Sequence, residues 1–255
     1  MRFVSISLVL SVVVLLSSGC ASRWYVDPPT VLETSGPLGI DVETFNGDVI
    51  IDVDDRRKEA TVTIVREAVH GYLRQKEATA SLAEIRYTID LVPGDLGPVL
   101  EIRTWTEHPE PHFQRAHVHI EVPAVDGVIV RTRHGQVAAR GIQGAVDIST
   151  TDGDVRVMTN RAMLEPVTIV SQGGHIEYRV RGESTAAFDC QTIGGRVNHH
   201  VRYGRFVIGS GRDPAKLVAT LNDGANPVVL RTVDGDIRIA VVHNPEQAGD
   251  LLLGP

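Results

Sequence analysis

Val146-Asp147-Ile148-Ser149-Thr150-Thr151-Asp152-Gly153-Asp154-Val155-Arg156-Val157 alternates apolar and polar residues on both sides of a glycine. In an extended chain, Val146 and Ile148 before the glycine, and Val155 and Val157 after it, share one face. The stretch predicts a strand, a tight turn at Gly153 and a second strand, each with one buried side.

The pattern recurs around Gly47, Gly135, Gly174, Gly195 and Gly235. Each unit reads hydroxyl, two variable residues, glycine, one polar residue, then Val or Ile; Thr44, Thr132, Thr150, Ser171, Thr192 and Thr232 supply the hydroxyls. The inward positions lie seven and five residues before the glycine and two and four after it. They are almost all apolar, although Cys190 and His199 take two of them in the fifth unit. Cys190 reads as a small, inert core residue, and His199 as a hydrogen-bonded core or coil-edge residue. From Gly135 onward the glycines are spaced by 18, 21, 21 and 40 residues, and a degenerate unit at Asn222-Asp223-Gly224 would fill the last gap.

Self-similarity at this period points to a repeat architecture. The predicted fold is all-β: a β-solenoid in which coils stack at about 4.8 Å, like residue on like residue. The alternative is an antiparallel β-sandwich, which the same alternation permits. Between the first and second repeats, 61–65, 86–92, 99–105 and 116–122 alternate like strands, Pro93-Gly94-Asp95 marks a turn, and 76–85 reads as a short helix. This 53–122 region is expected to cap or flank the solenoid, because an open end exposes unpaired strand edges.

The spacing Val-x-Val-x-Thr-x-x-Gly-x-Val, introduced by Val122-Pro123, resembles a bacterial family of domains of unknown function described as candidate adhesins with β-strand repeats, over roughly residues 39–243. The resemblance implies a repeat fold and an adhesin-like role, and it brings no catalytic residues.

The N-terminus carries a different message. Arg2 precedes an uncharged apolar run over 3–16, which ends in Leu16-Ser17-Ser18-Gly19-Cys20. A cationic start, a short apolar stretch and small residues at the break describe an export signal. The run is too short for a membrane-crossing helix, which needs about 20 residues. Gly19-Cys20 resembles the lipobox of bacterial lipoproteins, with Ser17 where that motif usually has Leu. The resemblance implies cleavage before Cys20, lipidation of its thiol and, with Ala21 next, sorting to an outer membrane. An ordinary secretory signal is the alternative. The expected organisation is therefore a signal peptide over 1–19, a lipid-anchored tether over 20–38 punctuated by Pro and Gly, and a β segment with one short helix over 39–125. The glycine-turn repeats follow over 126–243, and then a C-terminal tail over 244–255. Trp24 and Tyr25 in the tether could meet the lipid interface or pack on the first strand.

The formal charge of −7 argues against nucleic acid as a partner. Two cysteines make neither a disulfide framework nor a zinc site by themselves. The paired acids Asp152/Asp154 and Asp234/Asp236 read as turn chemistry. With four coils between Gly153 and Gly235 they would lie about 19 Å apart, too far for a glycosidase pair. His108, His112, His117 and His119 cluster within 12 residues. His117 and His119 share a strand face and are weak metal candidates that need a third ligand such as Glu121 or His112. No cofactor and no catalysis are expected. The functional expectation is a lipid-anchored envelope protein that binds an envelope glycan or a surface protein; the alternative is a polysaccharide-active enzyme on a β-helix.

Overall fold

The computed structural model describes residues 21–247, except 35, 71–73, 96, 210 and 212. Residues 1–19 and Cys20 lie outside the described residues, as does the tail beyond 247. No helix among the described residues is long and apolar enough to cross a membrane.

The chain opens with β1 (Ala21–Val26) and β2 (Thr30–Glu33), then forms the first glycine unit as β3 (Leu38–Thr44) and β4 (Val49–Val53). The long β5 (Glu59–His70) and a short helix, α1 (Gln75–Ser81), lead into β6 (Ile85–Gly94), β7 (Gly97–Thr106) and β8 (Gln114–Val122). Three units follow without interruption: β9 (Val125–His134) with β10 (Val137–Arg140), β11 (Val146–Asp152) with β12 (Val155–Met158), and β13 (Val167–Gly173) with β14 (Ile176–Val180). The fifth unit is β15 (Ala186–Gln191) with β16 (Val197–Val201). After β17 (Phe206–Ile208) and β18 (Lys216–Leu221) comes the sixth, β19 (Pro227–Asp234) with β20 (Ile237–Val241).

The first strand of every unit lies in one sheet and the second in another, and within each sheet the units pair parallel and in register. Val137 faces Val155, and Val155 faces Ile176, across successive coils. Parallel pairing of the repeats excludes the antiparallel sandwich for this region. Antiparallel pairing is confined to the flanks, where β5 joins β8, β6 joins β7, and β18 joins β15.

A single apolar core fills the space between the sheets. Every position read as inward is buried except Val197, which is half-buried, and His199, which is exposed. At roughly 1.5–3 kcal/mol for each fully buried Val, Leu or Ile, this layer is the main favourable contribution to folding. Tyr178 and Phe188 meet edge to face at 6.3 Å within it.

The spatial order of the coils departs from the chain order at both ends. The sheets run β7-β3-β9-β11-β13-β19-β15 and β8-β4-β10-β12-β14-β20-β16. The first glycine unit is thus inserted between the β7–β8 coil and the rest, and the sixth unit is inserted between the fourth and the fifth. The stretch 202–226 supplies no coil of its own, which corrects the expectation of a degenerate unit at Asn222-Asp223-Gly224. It runs antiparallel along β15 as β18, with β17 beside it, and turns at Asn222 and Gly224, both of positive φ, to bring β19 back inside the stack.

Two further readings are corrected. The supposed tether over 20–38 is largely strand, because β1 and β2 both pair antiparallel with β5; its prolines punctuate two edge strands. The helix expected over 76–85 ends at Ser81 and tightens into a 3₁₀ turn over Leu82–Glu84, and Ile85 already begins β6.

Candidate functional site

Three ladders of like residues run along the turn edge of the stack. The first is glycine. Gly153 has φ 141°, and a Cβ there would sit 2.0 Å from the carbonyl oxygen of Gly135 in the next coil. At Gly195 no positive φ is needed, yet a Cβ would come within 2.1 Å of the Gly235 oxygen. Glycine is therefore required first by the closeness of the coils and only second by its backbone freedom.

The second ladder is hydroxyl. Thr232 donates to the carbonyl of Gly174 at 3.0 Å, Thr192 to that of Gly235 at 2.7 Å, and Ser171 to that of Gly153 at 3.4 Å. Each hydroxyl thus bonds the neighbouring coil. Thr150 is the exception, since its buried hydroxyl has no partner among the described residues.

The third ladder explains the acidic turns. In spatial order the residues after the turn position are His117, Asp48, Gln136, Asp154, His175, Asp236 and Arg196; Ala116 stands in the glycine place of the β7–β8 coil. The Asp48 amide lies 3.2 Å from His117 Nδ1, which can accept it only while the ring is neutral, and the Gln136 amide donates to Asp48 Oδ1 at 2.8 Å. The His175 amide donates to Asp154 Oδ1 at 2.7 Å, the Asp236 amide to His175 Nδ1 at 2.9 Å, and the Arg196 amide to Asp236 Oδ1 at 2.9 Å. Asp48, Asp154, His175 and Asp236 thus each cap the amide of the next coil, a group otherwise left without a partner in a tight turn.

The distance expected between the acid pairs needs correction. Because β19–β20 stacks directly on β13–β14, Gly153 and Gly235 are two coils apart, or about 10 Å, not four coils. Asp154, His175 and Asp236 therefore stand in one row, with one oxygen of each Asp occupied by a backbone amide.

His117 and His119 point outward from β8. His117 lies between Asp48, 3.1 Å from Nδ1, and Glu67, 3.2 Å from Nε2, while His119 meets Asp52 at 3.3 Å. The hydrogen bond to Asp48 holds the His117 imidazolium above its usual range, and the same contact holds the Asp48 carboxyl below its own. His112 packs on the Phe113 ring at 4.1 Å. Cys190 is buried, and desolvation pushes its thiol up to about 12, which suits an inert core residue. His199 takes an inward slot in the last coil, but it is exposed and stacks on Phe206 at 5.5 Å.

One grouping escaped the sequence reading. His70, Glu77 and His108 bring ligand-capable atoms within 4.8 Å of one another, the only such group of three among the described residues. They are separated in sequence and carried by β5, α1 and the loop after β7. His70 falls in a strand of otherwise ordinary alternation, so only the end-to-end packing of these elements reveals the group.

The outward faces complete the surface. On the β3-side sheet, Arg103 pairs with Asp41 at 2.8 Å, Arg131 with Asp147 at 3.4 Å, and Arg231 with Asp189. Ile129, Val170 and Val218 lie exposed on the same sheet. A shallow apolar depression of about 420 Å³ opens over Pro93, Val99 and Ile129. On the β4-side sheet a polar depression of about 550 Å³ is bounded by Asp52, Asp54, Asp55, Arg140, Arg161 and Glu246.

Stacked parallel sheets with a tight-turn edge define an all-β repeat domain. Residues 116–240 match the family model described as Toastrack DUF4097. Among solved structures it is similar to a candidate cell adhesion protein from Clostridium sporogenes ATCC 15579, at 11% identity over 87% of this chain and 100% of that one, with a TM-score of 0.53. A candidate adhesin from Bacteroides fragilis NCTC 9343 aligns at 11% identity over 85% of this chain and 97% of that one, with a TM-score of 0.32. At such identity the Clostridium likeness is one of fold. No curated protein matches the chain.

Proposed function

We propose that the protein is a non-catalytic binding module of the bacterial envelope, adhesin-like, anchored through a lipid on Cys20 and sorted to the outer membrane. Its stacked coils are read as a short solenoid whose outer faces engage an extended envelope glycan or a surface protein. The observation that carries this reading is the register of the outward positions. Asp41, Ile129 and Asp147 form one row across β3, β9 and β11, with Glu43, Arg131 and Ser149 in the next. A repeated face binds weakly at many points, and the summed avidity exceeds any single contact. Catalysis instead needs groups held in one productive geometry, and the acids of the Asp154 row already serve as caps for backbone amides.

The test compares Arg131→Ala/Arg231→Ala with Asp154→Asn/Asp236→Asn in adhesion to envelope glycans and surface proteins, and in polysaccharide cleavage. Loss of adhesion in the arginine variant alone supports the proposal. Cleavage by the wild type that the Asp→Asn variant abolishes overturns it in favour of the enzyme. Mass spectrometry of the mature N-terminus tests the anchor, which fails if the chain begins at an unmodified residue other than Cys20.

A further inference from the structure

His70 ends β5 fully buried, at 0% exposure, and neither ring nitrogen has a hydrogen-bond partner among the described residues. An imidazole carries at least one N–H and, when neutral, one lone pair. Leaving both unsatisfied in the interior forfeits the hydrogen bonds they make in water and is costly. Such a ring is either strained without purpose or waiting for a ligand. Its surroundings favour the second account. The ring of His108 meets it edge-on at 5.6 Å, Phe113 stacks on it at 5.1 Å, and Glu77 completes a group of three donors within 4.8 Å. Burial is graded: His70 is buried, His108 half-buried and Glu77 exposed, so the cluster opens to solvent through its carboxylate.

We propose that His70, His108 and Glu77 form a divalent-metal site of the zinc class, completed by water, which clips the end of β5 to α1 and to the loop after β7. Two imidazoles and one carboxylate are a donor set that zinc accepts, with a fourth position left for solvent. The charge balance suits a dication. Arg74 bridges Glu77 and Glu110, donating to both oxygens of Glu77, Oε2 at 2.6 Å and also Oε1, and to Glu110 Oε2 at 2.8 Å, so two carboxylates face one guanidinium. A carboxylate oxygen has lone pairs to spare, so Glu77 can ligate a metal while Arg74 orients it from the outer shell. Ligation has one local cost, because His108 Nδ1 now accepts the Glu110 amide at 3.0 Å. The outward pair His117 and His119 offers no comparable group, as each is committed to a carboxylate.

The test is titration of the metal-stripped full chain with Co²⁺, followed through its visible absorption, and with Zn²⁺ by calorimetry. One ion per chain is expected, with Zn²⁺ displacing Co²⁺ and raising the melting temperature. His70→Phe keeps a ring stacked on Phe113 while removing both nitrogens, and should weaken Co²⁺ binding at least tenfold. Glu77→Gln and His108→Asn should do the same, and they carry the test if His70→Phe fails to fold. His117→Ala/His119→Ala should bind like the wild type. Substoichiometric binding by the wild type, or unchanged affinity in the folded His70, His108 and Glu77 variants, would overturn the site and leave a water-filled pocket.

Discussion

The two ends of the stack use the same manoeuvre and finish it differently. At each end a unit distant in sequence sits inside an outer coil: β3–β4, laid down first, lies inside the later β7–β8, and β19–β20, laid down last, lies inside the earlier β15–β16. At the β7–β8 end both sheets continue into antiparallel cover, β5 with β1 and β2 on one side and β6 on the other. Among the described residues, only one sheet is covered at the β15–β16 end, by β18 and β17, and β16 is the last strand of the other. The side chains record the difference. Val118 and Ile120 of β8 are buried, whereas at the corresponding places of β16 Val197 is half-buried and His199 exposed. An edge can therefore be sealed by more chain, or tolerated if the strand is short and polar. The five residues of β16, with Asn198, His199 and His200 at its centre, meet the second condition.

The comparison breaks if inward positions at the bare end matter as much as those in the middle. Val155→Asp buries an unpaired carboxylate where exposure is 1%, and should cost about 4 kcal/mol or more. Val197→Asp, in the same slot of the last coil, should cost about 1 kcal/mol. Chemical denaturation of both variants measures the gap, and equal losses would mean that the β16 edge is covered in solution. Gly153→Ala comes next, at about 3 kcal/mol, because the added carbon meets the Gly135 oxygen at 2.0 Å and φ is 141°. Gly36→Ala meets nothing within 4 Å and should leave the melting temperature unchanged.

The hydroxyl ladder sharpens the contrast at smaller scale. Thr192→Val removes a 2.7 Å bond from the last coil to Gly235 and strands that carbonyl, at a cost of about 1 kcal/mol. Thr150→Val, in the middle of the stack, replaces a buried hydroxyl that has no partner, and should be neutral or slightly stabilising. Paired melting curves decide between position and partnership as the source of the effect.

Which residues face inward was legible because the alternation is strict and each half of a unit has one buried side. The order of the coils was not read, although one signal for it was present. Asp48, Asp154, His175 and Asp236 each cap the amide of the next coil, and Gln136 also carries an acceptor oxygen. The exception is Arg196, which has donors only. A unit that cannot cap a successor belongs at the end, so the fifth unit, not the sixth, is terminal. The 40-residue gap was misread because spacing alone does not distinguish an extra coil from an antiparallel excursion such as β17 and β18. The His70 cluster lay beyond any linear reading, since three elements must meet before its donors converge.

The smallest effect separates the ends by pH. At the covered end His117 is held between Asp48 and Glu67, and at the bare end the row of turn residues closes on Arg196. Folding raises the His117 pKa, chiefly through its hydrogen bond to Asp48. Its contribution is therefore complete below the unfolded value of about 6.5 and is lost as pH climbs through the higher folded value. Folding lowers the Asp48 and Glu67 pKa values, so their contribution is present above the ordinary carboxylate range of about 4 and fades as pH falls through the lower folded values. The covered end should thus be most stable between these limits, by on the order of 0.5 kcal/mol for a partly exposed pair. Hydrogen exchange corrected for intrinsic rates should show protection in β8 declining from pH 6 to pH 8 while β16 stays flat. His117→Gln, which keeps an acceptor but does not titrate, should flatten β8 as well; an unchanged slope in that variant would place the pH dependence elsewhere in the covering strands.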